Sequence, residues 1–285
     1  SRKKLHYAFD HGITHFDFAN NYGPSYGSAE ETFGQIMKSS FAPYRDELFI
    51  STKAGHDMWP GSYGNWGSRK HLLASLDQSL KRMNLDYVDV FYSHRYDSET
   101  PLEETLQALV DIVRKGKALY VGLSKYPLDA YLFACRYLKE RDVPCLLYQG
   151  RYSMLVREPE SQGILDAVKE NGSGFVAFSP LAQGLLTNRY LNGIPDDSRI
   201  ARGGFLKKEA LTPEVLSKIQ ALNERAAMRG QSLAEMALAW LLKNETVTSV
   251  IVGASSVEQL GDSLKTLNHL SFEEEELHAI EKILM

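Results

Sequence analysis

The chain has 285 residues, 44% of them hydrophobic and 24% charged, enough to bury a large core and to exclude the disordered class. Its 32 basic and 36 acidic residues give a formal net charge of −4 without a long basic block, which argues against nucleic acid or a polybasic membrane patch as partner. No apolar run approaches the ~18 residues of a membrane span, while a small anionic ligand, which needs only two or three cations, stays open.

The chain opens in an amphipathic helix, Lys3-Lys4-Leu5-His6-Tyr7-Ala8-Phe9, ended by Gly12 and lacking the apolar segment of a signal peptide. Strands are then expected at Thr14–Phe18, Leu48–Thr52, Val88–Ser93, Ala118–Leu123, Cys145–Tyr148, Gly174–Ser179 and Thr248–Val252. Amphipathic helices lie between them, with four start signals of capping-box type. These are Ser28-Ala29-Glu30-Glu31, Thr100-Pro101-Leu102-Glu103, Ser232-Leu233-Ala234-Glu235 and Ser271-Phe272-Glu273-Glu274.

Strands alternating with helices mean βαβ units and a parallel sheet. Seven strands behind an opening helix are expected to form a single (β/α)₈ barrel, residues 1–285, with the first strand missing. The rival, an open doubly wound sheet, needs a nucleotide fingerprint at its first turn. Gly172-Ser173-Gly174-Phe175-Val176-Ala177 matches that fingerprint by letter, but a helix precedes it and a strand follows, the reverse of the order that aims backbone N–H groups at a pyrophosphate. Asn171-Gly172 reads instead as a helix C-cap.

Barrel enzymes carry their catalytic groups at the C-terminal ends of strands. Here Asp17, Lys53, His94, Ser124, Gln149 and Ser179 each close a strand, and Tyr22 follows Asp17 by five residues. Taken singly, such an Asp serves its own loop, such a Lys points to solvent, and a lone His is structural. Together they form a proton-transfer set. A Lys ammonium beside a phenol favours phenolate, and an Asp holds that Lys charged.

Gly12-Ile13-Thr14-His15-Phe16-Asp17-Phe18-Ala19-Asn20-Asn21-Tyr22-Gly23, Ser51-Thr52-Lys53 and Tyr92-Ser93-His94-Arg95 resemble aldo-keto reductase signatures. Phe178-Ser179-Pro180-Leu181-Ala182-Gln183-Gly184-Leu185-Leu186-Thr187 and Gly253-Ala254-Ser255 match further along. The segments Trp59–Lys70 and Tyr190–Pro195 narrow the resemblance to the glyceraldehyde 3-phosphate reductase branch, close to potassium-channel β-subunits.

The resemblance implies a (β/α)₈ barrel with NADP(H) as cofactor and a catalytic tetrad of Asp17, Tyr22, Lys53 and His94. It implies Ser124 and Gln149 on the nicotinamide amide, Phe178 stacking on the ring, and Ser179, Leu181, Gln183 and Gly184 along the pyrophosphate. Arg189 and Arg199 would serve the phosphates or adenine, and Gly253, Ser255, Gln259 and Asp262 would close over the adenosine end. Three positions depart from the family pattern: Lys125 and Ser263 where Asn is frequent, and Phe178 where Tyr or Trp is common.

Two functions follow. One is an NADPH-dependent reductase of small aldehydes, glyceraldehyde 3-phosphate or methylglyoxal among them, with Trp59, Trp66 and Arg95 shaping the substrate end. The alternative is a nicotinamide-binding regulatory subunit with little turnover. A phosphate-binding barrel isomerase lacks the Glu base it would need at a strand end. The expected partner is a small aldehyde, with no nucleic acid, membrane or metal; a homo-oligomer is left open. Cys135 and Cys145 show no metal spacing and read as reduced thiols of a cytoplasmic protein.

Overall fold

A computed structural model describes residues 2–191, 193–194 and 208–285. The elements in chain order are α1 (Arg2–Asp10), β1 (His15–Asp17), α2 (Ser28–Ile36), β2 (Phe49–Ala54), α3 (Arg69–Met83), β3 (Val88–Ser93), α4 (Leu102–Arg114), β4 (Ala118–Ser124) and α5 (Leu128–Lys139). There follow β5 (Cys145–Arg151), α6 (Glu158–Ser161), α7 (Ile164–Glu170), β6 (Gly174–Phe178), α8 (Pro213–Met228), α9 (Leu233–Leu242), β7 (Val247–Val250), α10 (Val257–Leu264) and α11 (Glu274–Leu284). All seven expected strands form. Three run past the ends that the sequence suggests: β2 continues through Lys53 to Ala54, β4 to Ser124, and β5 through Gln149 to Arg151. Lys53 and Gln149 are therefore held inside the ladder, where backbone hydrogen bonds fix the direction of each side chain.

The chain gathers into two compact units, Ser1–Gln149 with Gly163–Gly174, and Gly150–Gln162 with Phe175–Met285. In the first, β1 to β5 pair in sequence order, each parallel to the next. The register sets Asp17 beside Ser51, Lys53 beside Tyr92 and Ser124 beside Gln149, so the polar strand ends form one row. Every residue of β3 is buried, as expected of a strand covered on both faces, and α4 packs Leu106, Leu109, Val110 and Ile112 inward. Gly122 on β4 is required by packing: a Cβ there would overlap the Tyr92 ring.

Three start signals act differently from the expected boxes. Helix α2 begins after Gly27, whose φ of +88° suits glycine, and Ser28 makes no cap bond. Glu30 is instead fully buried, accepting from Thr52 Oγ1 at 2.6 Å and from Arg82 Nε at 2.8 Å, so it ties α2 to β2 and α3. Helix α4 has Pro101 at its N-cap, which offers no side-chain acceptor, and Asp97 Oδ1 takes the N–H groups of Glu99 and Thr100 just before it. Helix α11 is capped by Glu273 with Glu276, two residues beyond Ser271. The Ser232–Glu235 box forms as expected, and helix α7 ends at Asn171 before Gly172 at φ +70°, followed by β6.

In the second unit β6 and β7 pair in parallel. Helix α9 is buried along most of its length. Arg157 ties α6 to α11 through Glu160 and Glu281, with its Cζ 5.3 Å from the Trp240 ring centre.

Candidate active site

The first unit assembles the centre. Lys53 is fully buried and its Nζ donates to Asp17 Oδ2 at 2.5 Å. The other oxygen of Asp17 accepts from Ser51 Oγ at 2.6 Å and from Gln149 Nε2 at 3.2 Å. Beneath, His15 Nε2 lies 3.0 Å from Ser51 Oγ, and burial holds His15 below its ordinary pKa. Asp17 is thus oriented by β1, β2 and β5 together. The carboxylate balances an ammonium whose complete burial would otherwise cost several kcal/mol.

Tyr22 stands above this pair. The Lys53 Nζ lies 5.2 Å from the centre of its ring, and the residue is 39% exposed, so the aromatic ring has the ammonium near it and remains accessible to solvent. His94 is buried and meets Tyr22 edge-on at 6.0 Å between ring centres. Burial, reinforced by Lys53, Lys125, His56 and Arg95, pushes the His94 pKa far below the imidazole range, so it is a neutral hydrogen-bonding group at physiological pH. Its Nδ1 is buried without a partner among the described residues, as is Ser124 Oγ. Buried polar atoms of this kind are uncommon unless a ligand or water completes them.

Sequence reasoning missed His56 and noted Lys125 only as a departure from the family pattern. His56 packs edge-on against His94 at 4.4 Å between ring centres, and Lys125 Nζ lies 3.0 Å from His56 Nε2. His56 follows β2 by two residues and Lys125 follows β4 directly. Loop positions just past strand ends were the available signal.

The Trp59–Trp66 loop divides its two indoles. Trp59 turns inward, 5.1 Å from the His71 ring, and Gly64 lies so close that a Cβ would overlap the Trp59 carbonyl. Trp66, at φ +69°, is exposed and carries the Arg95 guanidinium on its face at 3.5 Å. Only Trp66 is thus on the open side, because Trp59 is spent on packing the loop against α3. Arg69 is paired with Asp111.

The whole chain, residues 1–285, matches the model of the aldo/keto reductase family. The chain belongs to the aldo-keto reductase family. It is 57% identical to an L-glyceraldehyde 3-phosphate reductase of Escherichia coli O157:H7, over 99% of this chain and 82% of that protein. The counterpart in Escherichia coli strain K12 is 56% identical over the same shares. A probable voltage-gated potassium channel subunit beta of Arabidopsis thaliana is 37% identical over 91% of this chain and 79% of that protein. As an aldo-keto reductase the protein is an oxidoreductase with the (β/α)₈-barrel fold, of which seven strands lie among the described residues.

The second unit holds the remaining expected cofactor residues. Phe178 ends β6, and Ser179, Ala182 and Gln183 follow at φ +53°, +47° and +60°, a run of left-handed residues at strained cost. Leu181 O accepts from the N–H of Gly184. Arg189 is exposed in the short helical turn that follows. Past β7, Gly253 is exposed, and Gln259 Oε1 accepts from both the N–H and Oγ of Ser255 at 2.7 and 2.9 Å. Asp262 pairs with Lys265 at 2.7 Å. Arg199 lies outside the described residues. No helix among the described residues is long and apolar enough to cross a membrane.

Proposed function

We propose that this protein is an NADPH-dependent reductase of small aldehydes, glyceraldehyde 3-phosphate and methylglyoxal among them, with Tyr22 as general acid. The observation that carries the reading is the buried Lys53–Asp17 pair directly beneath an accessible Tyr22 and beside a neutral His94. The names of the Escherichia coli relatives support the aldehyde substrate.

A nicotinamide cofactor suits the donors present. Ser124 Oγ is a buried hydroxyl awaiting a partner, and Gln149 at the paired position supplies an amide, a set that matches a carboxamide. Phe178 would stack on the ring, with Ser179, Leu181, Gln183, Gly184, Arg189 and Arg199 along the phosphates. Gly253, Ser255, Gln259 and Asp262 would hold the adenosine end. When bound, the reduced cofactor supplies hydride equivalents.

In this reading the Tyr22 hydroxyl and a His94 N–H both hydrogen-bond the substrate carbonyl oxygen, where negative charge develops. Each such donor is typically worth about 3 kcal/mol. Tyr22 then delivers its proton to that oxygen, and Lys53, kept charged by Asp17, stabilises the phenolate left behind. The neutrality of His94 keeps it a donor without competing for the proton.

The regulatory-subunit alternative draws on the more distant plant relatives alone. The reductase reading includes a cytoplasmic setting, in which the buried Cys135 and Cys145 would stay reduced. The deciding experiment follows NADPH oxidation against a panel including glyceraldehyde 3-phosphate and methylglyoxal. Turnover of short aldehydes is expected. NADPH binding with negligible turnover across the panel would replace this reading with the regulatory one.

A further inference from the structure

Beside His94, three basic side chains converge from three separate loops. His56 follows β2, Arg95 follows β3, and Lys125 follows β4. The two cations among them, Lys125 and Arg95, are each held by uncharged groups. Lys125 Nζ, within 3.0 Å of His56 Nε2, donates to it and so leaves that imidazole neutral with its proton on Nδ1. Arg95 donates Nε–H to Gly55 O at 2.8 Å and Nη2–H to Asn65 Oδ1 at 2.7 Å, and rests on the face of Trp66. Neither cation forms a carboxylate salt bridge among the described residues. The nearby Asp97 is occupied by the backbone N–H groups of Gly67, Glu99 and Thr100, and Asp57 is exposed at the rim.

The arrangement carries a standing cost. Like charges in one rim repel, and the backbone at Lys125 and Trp66 is held at φ +56° and +69°, conformations that non-glycine residues seldom adopt. Guanidinium N–H groups of Arg95 beyond those two bonds have no partner among the described residues, leaving a planar fork suited to phosphate oxygens. With Nε2 accepting from Lys125, the His56 Nδ1–H would be a further donor.

We infer that Lys125, His56 and Arg95 form an anion subsite that takes the terminal phosphate of the aldehyde substrate and so determines specificity for phosphorylated over neutral aldehydes. This rests on the proposed aldehyde reduction, since the subsite adjoins His94, where the carbonyl oxygen would be held. In glyceraldehyde 3-phosphate the phosphate is separated from the carbonyl by two carbons, a short reach that fits groups adjoining the imidazole. The pairing also gives Lys125 a role other than the amide contact of the Asn frequent at that position.

The test compares kcat/KM for glyceraldehyde 3-phosphate, glyceraldehyde and the carboxylate-bearing succinic semialdehyde in wild type, Lys125→Gln and Lys125→Arg. Losing one charge-assisted hydrogen bond should lower the phosphorylated-to-neutral ratio about 10- to 100-fold, with Lys125→Arg recovering most of it. An unchanged ratio in Lys125→Gln overturns the proposal, as does a loss confined to NADPH affinity, which would assign Lys125 to the cofactor. A larger loss for succinic semialdehyde than for the phosphate ester would replace phosphate by carboxylate as the anion. Inorganic phosphate, titrated while following the His56 ring proton resonances by NMR, gives a readout independent of turnover. Saturable shifts that vanish in Lys125→Gln are expected, and their absence counts against the subsite even if no aldehyde is reduced. Failure of the reductase reading itself would show as no turnover of any aldehyde.

Discussion

Lys53 on β2 and Asp17 at the end of β1 form an ion pair in which the ammonium is wholly removed from solvent, at 2.5 Å. Removing one partner of such a pair strands the other charge, at a cost of about 3–5 kcal/mol. Asp17→Asn should therefore lose stability of that order, and Asp17→Asn with Lys53→Met should recover part of it. Urea unfolding of the single and double variants measures both. Equal stability of Asp17→Asn and wild type would mean that water reaches Lys53 and screens it.

Tyr22→Phe removes only a hydroxyl from a partly exposed ring and leaves the Lys53–Asp17 pair intact. kcat should fall by orders of magnitude while NADPH affinity and melting temperature stay near wild type. Steady-state kinetics with cofactor titration separate the two effects. Retained turnover would falsify the assignment of Tyr22 as acid.

The fold was legible because apolar strand runs alternate with amphipathic helices and glycine stops from Thr14 to Val252, although of the four expected start signals only Ser232–Glu235 formed its box as read. Asp17, Tyr22, Lys53 and His94 were legible as a set because strand ends in one register bring distant residues to one rim. Ser51, His15 and His56 were not. Their roles arise from cross-strand register and loop packing, which no local pattern encodes. Glu30 shows the converse: its spacing after Ser28 mimics a capping box, yet long-range contacts with Thr52 and Arg82 outweigh that local option. The two indoles of the Trp59–Trp66 loop look alike in sequence, and only their long-range partners, His71 for Trp59 and Arg95 for Trp66, tell them apart.

His56 carries a pH signature. Burial, then Lys125 and Arg95, lower its pKa to about 4, against Asp57 acting in the opposite direction, with the neutral His94 ring packed alongside. The unfolded chain binds a proton near 6.5, so this group's stabilisation is complete above about pH 6.5 and is lost as pH falls toward 4. The contribution is on the order of 1–3 kcal/mol, reduced by partial solvent access. Melting temperatures of wild type should drop more steeply across that window than those of His56→Asn. Parallel curves would show that His56 is solvated in the folded state.

Gly122 and Tyr92 are matched by shape. A methyl group at Gly122 would enter the Tyr92 ring, which is sealed beside Lys53 with Nζ 5.5 Å from its centre. Overpacking of this kind costs about 1–3 kcal/mol. Gly122→Ala should lose that stability in denaturant titrations and, because the ring backs Lys53, lower kcat more than it alters NADPH binding. A fully active, fully stable variant would show that β4 can yield there.

The Trp59–Trp66 loop should give two different phenotypes where the sequence suggested one. Trp59 packs on His71, whose Nδ1 is 2.8 Å from Tyr63 O, so the indole anchors the loop to α3. Trp59→Ala removes that half-buried contact and should destabilise the protein by about 1–3 kcal/mol. Trp66 instead supports Arg95, and a cation–π contact of this kind contributes about 0.5–2 kcal/mol depending on desolvation. Trp66→Ala should leave the melting temperature nearly unchanged while raising KM for short aldehydes several-fold, with NADPH affinity retained. Denaturation and kinetics on the two variants side by side separate anchoring from substrate confinement. If both truncations lower stability and neither changes KM, the loop is a structural clasp and the substrate wall lies elsewhere.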